Sequence, residues 1–139
     1  GVLFAGTYNG HAVGVAAALA TIAELENGAA HRHCFDLAQL AADGLTAIAA
    51  ERGIPMHVAL FGSVFVPYFM EPGPIENYTD LFRNNTARDV WFRKSMCEHG
   101  VFMIPTAMKR NHVSAAHTRA DIDRTLETAR ALLRAMPAA

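Results

Sequence analysis

The sequence predicts an α+β fold in which a small, mainly antiparallel sheet is covered on one side by helices. Long segments near both ends of the chain carry apolar residues at helical spacing, whereas residues 56–61 and 64–70 are rich in β-branched and aromatic residues. The predicted order is helix, helix, strand pair, helix, strand, strand, helix. With 139 residues, 52% of them hydrophobic, the chain can bury a real core, so we expect residues 1–139 to form a single domain.

The first half is predicted to hold two helices and a strand pair. The first helix, from about His11 to Glu26, is apolar nearly all round, which predicts that it is covered on more than one side. The second, from about Ala30 to Arg52, carries one apolar stripe and stops before Gly53, a residue suited to the position after a helix. Because Gly62-Ser63 separates the two β-rich segments, these form either two strands at a bend or a tight hairpin.

The second half begins with a loop, Glu71–Asn85, whose two prolines and glycine allow one turn of structure at most. A third helix follows from about Thr86 to His99, closed by Gly100. Val101–Ile104 is predicted as a short buried strand and His112–Ala116 as another. A final helix follows, where Thr118 and Asp121 together resemble a capping box.

Composition excludes several classes of protein. The chain has 18% charged residues and a formal charge of −1, which argues against disorder and gives no electrostatic reason to expect nucleic acid or a membrane as partner. No targeting signal is visible, and the start resembles a cut inside an element. Cys34 and Cys97 both fall in predicted helices, so we expect two reduced, buried thiols in a cytoplasmic protein.

A polar, glycine-flanked turn, Gly6–His11, leads directly into the first predicted helix. The first amides of a helix lack partners within it and the helix dipole favours negative charge, so Thr7 beside glycines is suited to holding a phosphate. The alternative is structural: Thr7 or Asn9 caps the helix and the glycines shape the turn. The residues alone leave both interpretations open.

Four segments carry motifs that belong together: Gly6–Leu25, Gly73–Tyr78, Cys97–Pro105 and Val113–Asp123. In the same order, they resemble the C-terminal domain of the class III pyridoxal-phosphate aminotransferases, most of all the glutamate-1-semialdehyde aminomutase type. That family has Asn-Pro where this chain has His11-Ala12. The resemblance extends over nearly the whole chain and implies the C-terminal small domain of a fold-type I pyridoxal-phosphate enzyme.

The resemblance implies a role for the turn. In that family, the threonine of the Gly-Thr pair binds the cofactor phosphate of the neighbouring subunit in a dimer. Gly6 and Thr7 would be the cofactor-binding residues here, in a homo-oligomer, most simply a dimer. Residues 1–28 would then be the phosphate-contact turn and the linking helix.

The family's Schiff-base lysine, the aspartate that pairs with the pyridine nitrogen and the stacking aromatic all precede this segment. The two lysines of the chain, Lys94 and Lys109, stand where the family has no such residue. Because the cofactor needs that lysine to hold and transfer it, we predict no catalytic residue here and no pyridoxal phosphate bound to this chain alone. The cofactor belongs to the intact enzyme, with the missing N-terminal region as partner.

Seven histidines raise the question of a metal site. The cluster His31, His33 and Cys34 spreads over two sides of a helix and has no further ligands beside it in sequence, so no metal site is predicted. His117 resembles a family histidine in an Ala-His-Thr turn, where we expect it to orient the turn through a hydrogen bond.

Lys109 and Arg110 lie in the loop between the last two predicted strands. In the resembled family this loop approaches the mouth of the active site, and the aminomutases have a Ser-Gln-Phe-Glu-like run where this chain has Thr106–Lys109. A base in place of the acid points away from glutamate-1-semialdehyde and toward a carboxylate-bearing amino acid bound by Lys109 or Arg110. A solvent-facing pair is the alternative.

Two functions remain. The first is a detached C-terminal domain of a pyridoxal-phosphate-dependent aminotransferase or aminomutase, inactive alone, which covers the active site of the parent enzyme. The second is a stand-alone, non-enzymatic protein-interaction module from a fragmented or mobilised gene.

Overall fold

A computed structural model describes residues 5–136 and confirms the α+β fold. The elements in chain order are α1 (Ala12–Leu25), α2 (Ala29–Glu51), β1 (His57–Phe61), β2 (Val64–Tyr68), a 3-10 helix (Tyr78–Arg83), α3 (Thr86–Glu98), β3 (Asn111–His112) and α4 (Arg119–Ala135). The strands form one antiparallel sheet in the order β1-β2-β3. The predicted bounds of α1, α2 and α3 agree with the observed ones to within one residue.

β1 and β2 form the tight hairpin, which was one of the two predicted arrangements. His57 lies opposite Tyr68, and Phe61 lies opposite Val64 at the closed end. Gly62 provides the turn with φ = 58°, a left-handed conformation that glycine adopts without a steric penalty.

The predicted strand Val101–Ile104 is wrong. The backbone of this segment bonds to the end of α3 and not to a neighbouring strand: the Val101 amide donates to Met96 O (2.9 Å) and the Cys97 thiol donates to Met103 O (2.9 Å). Met103 is buried, whereas Phe102 is 83% exposed. The apolar run therefore buries Met103 and half-buries Val101 against the core, whereas Phe102 and Ile104 are exposed.

The last predicted strand, His112–Ala116, is shorter in the structure and starts one residue earlier. β3 holds two residues, and the Val113 amide adds one more hydrogen bond, to Ser63 O (2.9 Å). The chain then turns, because the His117 amide donates to Ser114 O (3.1 Å). A local turn thus replaces the rest of the strand.

Side-chain caps fix the helices of the second half. The predicted capping box of α4 is present: Thr118 accepts from the Asp121 amide, and Asp121 accepts from the Thr118 amide. Asn85 caps α3 by accepting from the Arg88 amide. The connection before α3 holds more structure than the single turn predicted, since the six residues of the 3-10 helix form about two turns.

The helices cover one face of the sheet. α2 packs against α4, β1 and β2, and Phe65 of β2 joins the core that these helices form. Side chains alternate along a strand, so Val66 and Tyr68 point to the opposite face, where a second, smaller cluster includes Leu81 and Met108. The sheet thus separates a helical core from a core made with loops.

α1 is the exception to this packing. None of its residues is buried, and Val13, Leu19 and Ile22 are 72%, 62% and 61% exposed. The prediction that this helix is covered on more than one side is wrong for this chain alone, since α2 is its main packing partner. α1 therefore carries an apolar surface that residues 5–136 leave uncovered.

Candidate functional site

The turn before α1 is closed by its own backbone. The Asn9 amide donates to Gly6 O (3.0 Å) and the His11 amide donates to Tyr8 O (3.1 Å). Gly6 lies close to the Asn9 side chain, since a Cβ there would lie 3.0 Å from it. The N-cap of α1 is His11, whose Nδ1 accepts from the Gly14 amide (3.3 Å). The prediction that Thr7 or Asn9 caps the helix is therefore wrong, whereas glycines do shape the turn, since Gly10 has φ = 73°.

Thr7 is exposed, and its hydroxyl has no hydrogen-bond partner within residues 5–136. The amides of Thr7 and Tyr8 likewise donate to no other part of the described chain. One hydroxyl and two amides can bind one side of a phosphate. The turn, residues 6–11, holds no lysine or arginine.

Lys109 and Arg110 are both exposed and lie between Met108 and β3. Met108 has φ = 60°, a left-handed conformation that is uncommon for a residue other than glycine. Its amide donates to the buried carboxylate of Asp89 at 2.7 Å. The loop is thus held at one point immediately before its two cationic residues.

Arg110 borders a cavity of about 490 Å³ between the segment after α3, β3 and the start of α4. Buried apolar side chains form its floor: Phe65, Met103, Val113 and Ile122. Arg124 is a second cation on its rim, and a Cβ at Gly100 would lie 3.1 Å from its guanidinium. Lys109, Gly6 and Thr7 do not line this cavity, so Arg110 is the one predicted site residue of the described chain that does.

Asp121 and His117 lie at the edge of the same cavity. Hydrogen bonds from the Thr118 amide and hydroxyl hold the pKa of the Asp121 carboxyl below its usual value of 3.8. His117 Nδ1 accepts from the Ser114 amide (3.1 Å), and its carbonyl accepts from His33 Nε2 (2.8 Å). The prediction that His117 orients its turn by a hydrogen bond is confirmed.

Within residues 5–136, no three histidine, cysteine or acidic side chains come together in a way that could hold a metal ion. His31 stacks edge-on with Phe35, while His33 bonds to the turn at His117. Cys34 and Cys97 are free thiols, both half-buried and not fully buried as predicted. None of the helices in this range is long and apolar enough to cross a membrane.

A buried ion pair under the loop escaped the sequence analysis. Asp89 and Arg93 of α3 are both fully buried, with Arg93 Nε 2.5 Å from Asp89 Oδ1. Burial raises the pKa of the nearby Tyr68 phenol, and the charge of Asp89 raises it further. The signal in the sequence was an acid and a base four residues apart on a helix, a spacing that surface ion pairs share.

No family model matches the chain, but solved structures match its fold. A glutamate-1-semialdehyde-aminomutase from Pseudomonas aeruginosa PAO1 aligns with a TM-score of 0.70 and 23% identity, over 78% of this chain and 24% of that enzyme. The K286A form of that enzyme, in complex with PMP, gives the same values. An omega-transaminase from Sphaerobacter thermophilus aligns with a TM-score of 0.78 and 20% identity, over 96% of this chain and 30% of that enzyme.

These matches confirm, at the level of the fold, the expected resemblance to the class III pyridoxal-phosphate enzymes. The chain has the fold of one part of an aminotransferase or aminomutase. It spans about a quarter to a third of the length of the enzymes that it matches.

Proposed function

We propose that this chain is the C-terminal domain of a pyridoxal-phosphate-dependent aminotransferase or aminomutase of the glutamate-1-semialdehyde aminomutase type, and acts within a cytoplasmic homodimer. One observation carries the proposal. The fold match to the omega-transaminase covers 96% of this chain but 30% of that enzyme. That asymmetry is expected of one domain of a larger catalyst.

Gly6 and Thr7 would hold the cofactor phosphate of the neighbouring subunit. The Thr7 hydroxyl and the amides beside it are free of partners within the described chain, and the backbone bond from the Asn9 amide to Gly6 O closes the turn. Pyridoxal phosphate, when bound, supplies the electron sink for moving an amino group. The contribution of this chain is to bind and orient that group.

Lys109 and Arg110 would bind the carboxylate of an amino-acid substrate. Both are exposed, and neither forms an ion pair within residues 5–136. A guanidinium can bind a carboxylate through two parallel hydrogen bonds, which gives direction as well as charge. Arg110 also lies on the rim of the cavity, where an apolar side chain could pack beside the bound carboxylate.

Alone, the chain would not catalyse transamination, because neither Lys94 nor Lys109 stands at the position of the cofactor lysine. One observation favours the second candidate, a stand-alone interaction module: the uncovered apolar surface of α1. In the intact enzyme that surface would face the rest of the protein. In a detached domain it would bind another protein.

The test uses the chain fused to the large-domain segment of an aminomutase of this fold. Thr7→Ala should weaken cofactor binding by about tenfold to over a hundredfold, since a hydrogen bond to a charged group contributes roughly 1.5–3 kcal/mol. Thr7→Ser keeps the hydroxyl and should restore binding. Thr21→Ala is the matched control, because the Thr21 hydroxyl donates within α1, to Ala17 O, and to no other group of residues 5–136. An unchanged cofactor dissociation constant for Thr7→Ala would reject the phosphate contact.

A further inference from the structure

The Asp89 carboxylate joins three separate parts of the chain. Its Oδ1 accepts from Arg93 Nε in the same helix at 2.5 Å. Its Oδ2 accepts from the Met108 amide at 2.7 Å and from Asn84 Nδ2 at 3.1 Å. Asp89 is fully buried, and a carboxylate removed from water must be satisfied by such donors. All three donors are therefore part of one buried unit.

Asn84 extends this unit to the sheet. Its Oδ1 accepts from the Phe69 amide at 2.7 Å, directly after β2 ends. The neighbouring Asn85 amide donates to Phe69 O at 2.9 Å. The carboxylate therefore has a fixed position relative to both α3 and β2, which are the rigid elements around it.

The loop 105–110 depends on this carboxylate. Within residues 5–136, the Met108 amide is the only group of the loop that hydrogen-bonds to another part of the chain; the Thr106 amide bonds locally, to Ile104 O. Met108 also has the left-handed backbone noted above, a conformation that persists when its surroundings enforce it. Lys109 and Arg110 are the next two residues, so the hydrogen bond at Met108 fixes the position of the backbone from which they extend.

Arg93 has no second partner for its charge. It is fully buried, and its Nη1 and Nη2 have no hydrogen-bond partner within the described residues. Removal of Asp89 alone would leave a buried guanidinium uncompensated, which is strongly destabilising. Replacing the two residues together avoids this, since a buried ion pair can often be exchanged for apolar or neutral side chains of similar size.

We propose that Asp89 is a positioning residue for substrate: it holds the loop 105–110 so that Lys109 and Arg110 face the carboxylate of the substrate. The anchoring of the loop is independent of the proposed function. The effect on substrate binding rests on the proposed function.

The test compares two double variants that differ in whether residue 89 keeps an oxygen to accept from the Met108 amide and from Asn84 Nδ2. Arg93→Met with Asp89→Asn removes both charges and keeps an oxygen, whereas Arg93→Met with Asp89→Leu removes the oxygen too. Hydrogen exchange of the Met108 amide is measured in the 139-residue chain. We expect at least tenfold faster exchange in the leucine variant and near-wild-type exchange in the asparagine variant.

Equal exchange in both variants would overturn the proposal, because a merely structural role of the ion pair would affect both alike. Should the double variants fail to fold, the wild-type chain decides. Its Met108 amide must exchange more slowly than those of Ala107 and Lys109, and equal rates would reject the anchor. In the fused enzyme, the leucine variant should raise KM for an acidic amino acid more than for a neutral one. Faster Met108 exchange together with unchanged KM values would support the hydrogen bond between Asp89 and the loop. It would reject the proposed binding of substrate by Lys109 and Arg110.

Discussion

Replacing Leu19 and Ile22 of α1 by glutamine should abolish self-association of the chain. Val15, Leu19 and Ile22 are spaced i, i+4, i+7 and so share one stripe of the helix. They are 47%, 62% and 61% exposed. An apolar stripe that its own chain leaves uncovered is expected to pair with a second copy, most simply through a two-fold axis that brings the same face together.

The size of the effect follows from those exposures. Complete burial of a leucine or isoleucine side chain contributes about 1.5–3 kcal/mol. Roughly 60% of each side chain remains to be buried, so the four side chains of a two-fold interface contribute about 4–7 kcal/mol. The entropy cost of association is common to both proteins and cancels in the comparison. Even at the lower end, the dissociation constant should rise about a thousandfold.

Sedimentation velocity over a wide range of concentrations measures this directly. Phe102→Gln is the matched control, since Phe102 is an equally apolar and 83% exposed residue far from α1 in sequence; it should leave association unchanged. A wild-type chain that stays monomeric at every concentration would refute the reasoning. So would a double variant that associates as tightly as the wild type.

Two further outcomes are expected. Asp121→Asn should lower the midpoint of thermal unfolding at neutral pH, and this difference should shrink as the pH falls below about 4. The hydrogen bonds of the capping box hold the pKa of Asp121 below 3.8. The stabilisation by its carboxylate is therefore complete above the unfolded-state pKa and is lost as the pH falls through the folded-state pKa. A difference in unfolding midpoint that is constant with pH would contradict this. Incubation with pyridoxal phosphate followed by borohydride reduction should label Lys94 and Lys109 no more than exposed lysines of an unrelated protein. Peptide mass spectrometry measures the labelling. Stoichiometric labelling of either lysine would show that the chain reacts through its own lysine.

The sequence predicts the helices well because local chemistry determines their ends. Thr118 with Asp121, Asn85 and Gly100 act within a few residues of the helix that each one delimits. The hairpin is equally local, since its two strands are separated only by Gly62-Ser63. Where neighbours in sequence decide the structure, the prediction is correct.

The strand errors arise from contacts that sequence periodicity does not contain. Val101–Ile104 is apolar enough for a strand, but the Cys97 thiol and Met96 carbonyl take up its backbone groups. The exposure of α1 has the opposite cause: its apolar residues predict a cover that the described chain does not supply. A pattern of apolar residues specifies that a surface is to be buried and not what buries it.

The candidate site was predicted in part. Thr7, Lys109 and Arg110 were found by resemblance, and the structure shows all three exposed with no ion pair or side-chain hydrogen bond within the described residues. Asp89 was missed because its partners Asn84, Arg93 and Met108 extend over 25 positions of the sequence, and because nothing in its helical spacing distinguishes a buried pair from a solvated one.

The two cores on opposite faces of the sheet give the side chains of loop 105–110 and of the helices separate apolar partners. Met108 packs into the smaller cluster with Val66 and Tyr68, whereas the helices pack around Phe65 on the other face. Substitutions that share no partner have nearly additive effects on stability. Substitutions of the Met108 side chain should therefore add to, and not couple with, substitutions around Phe65 in their effect on the free energy of unfolding.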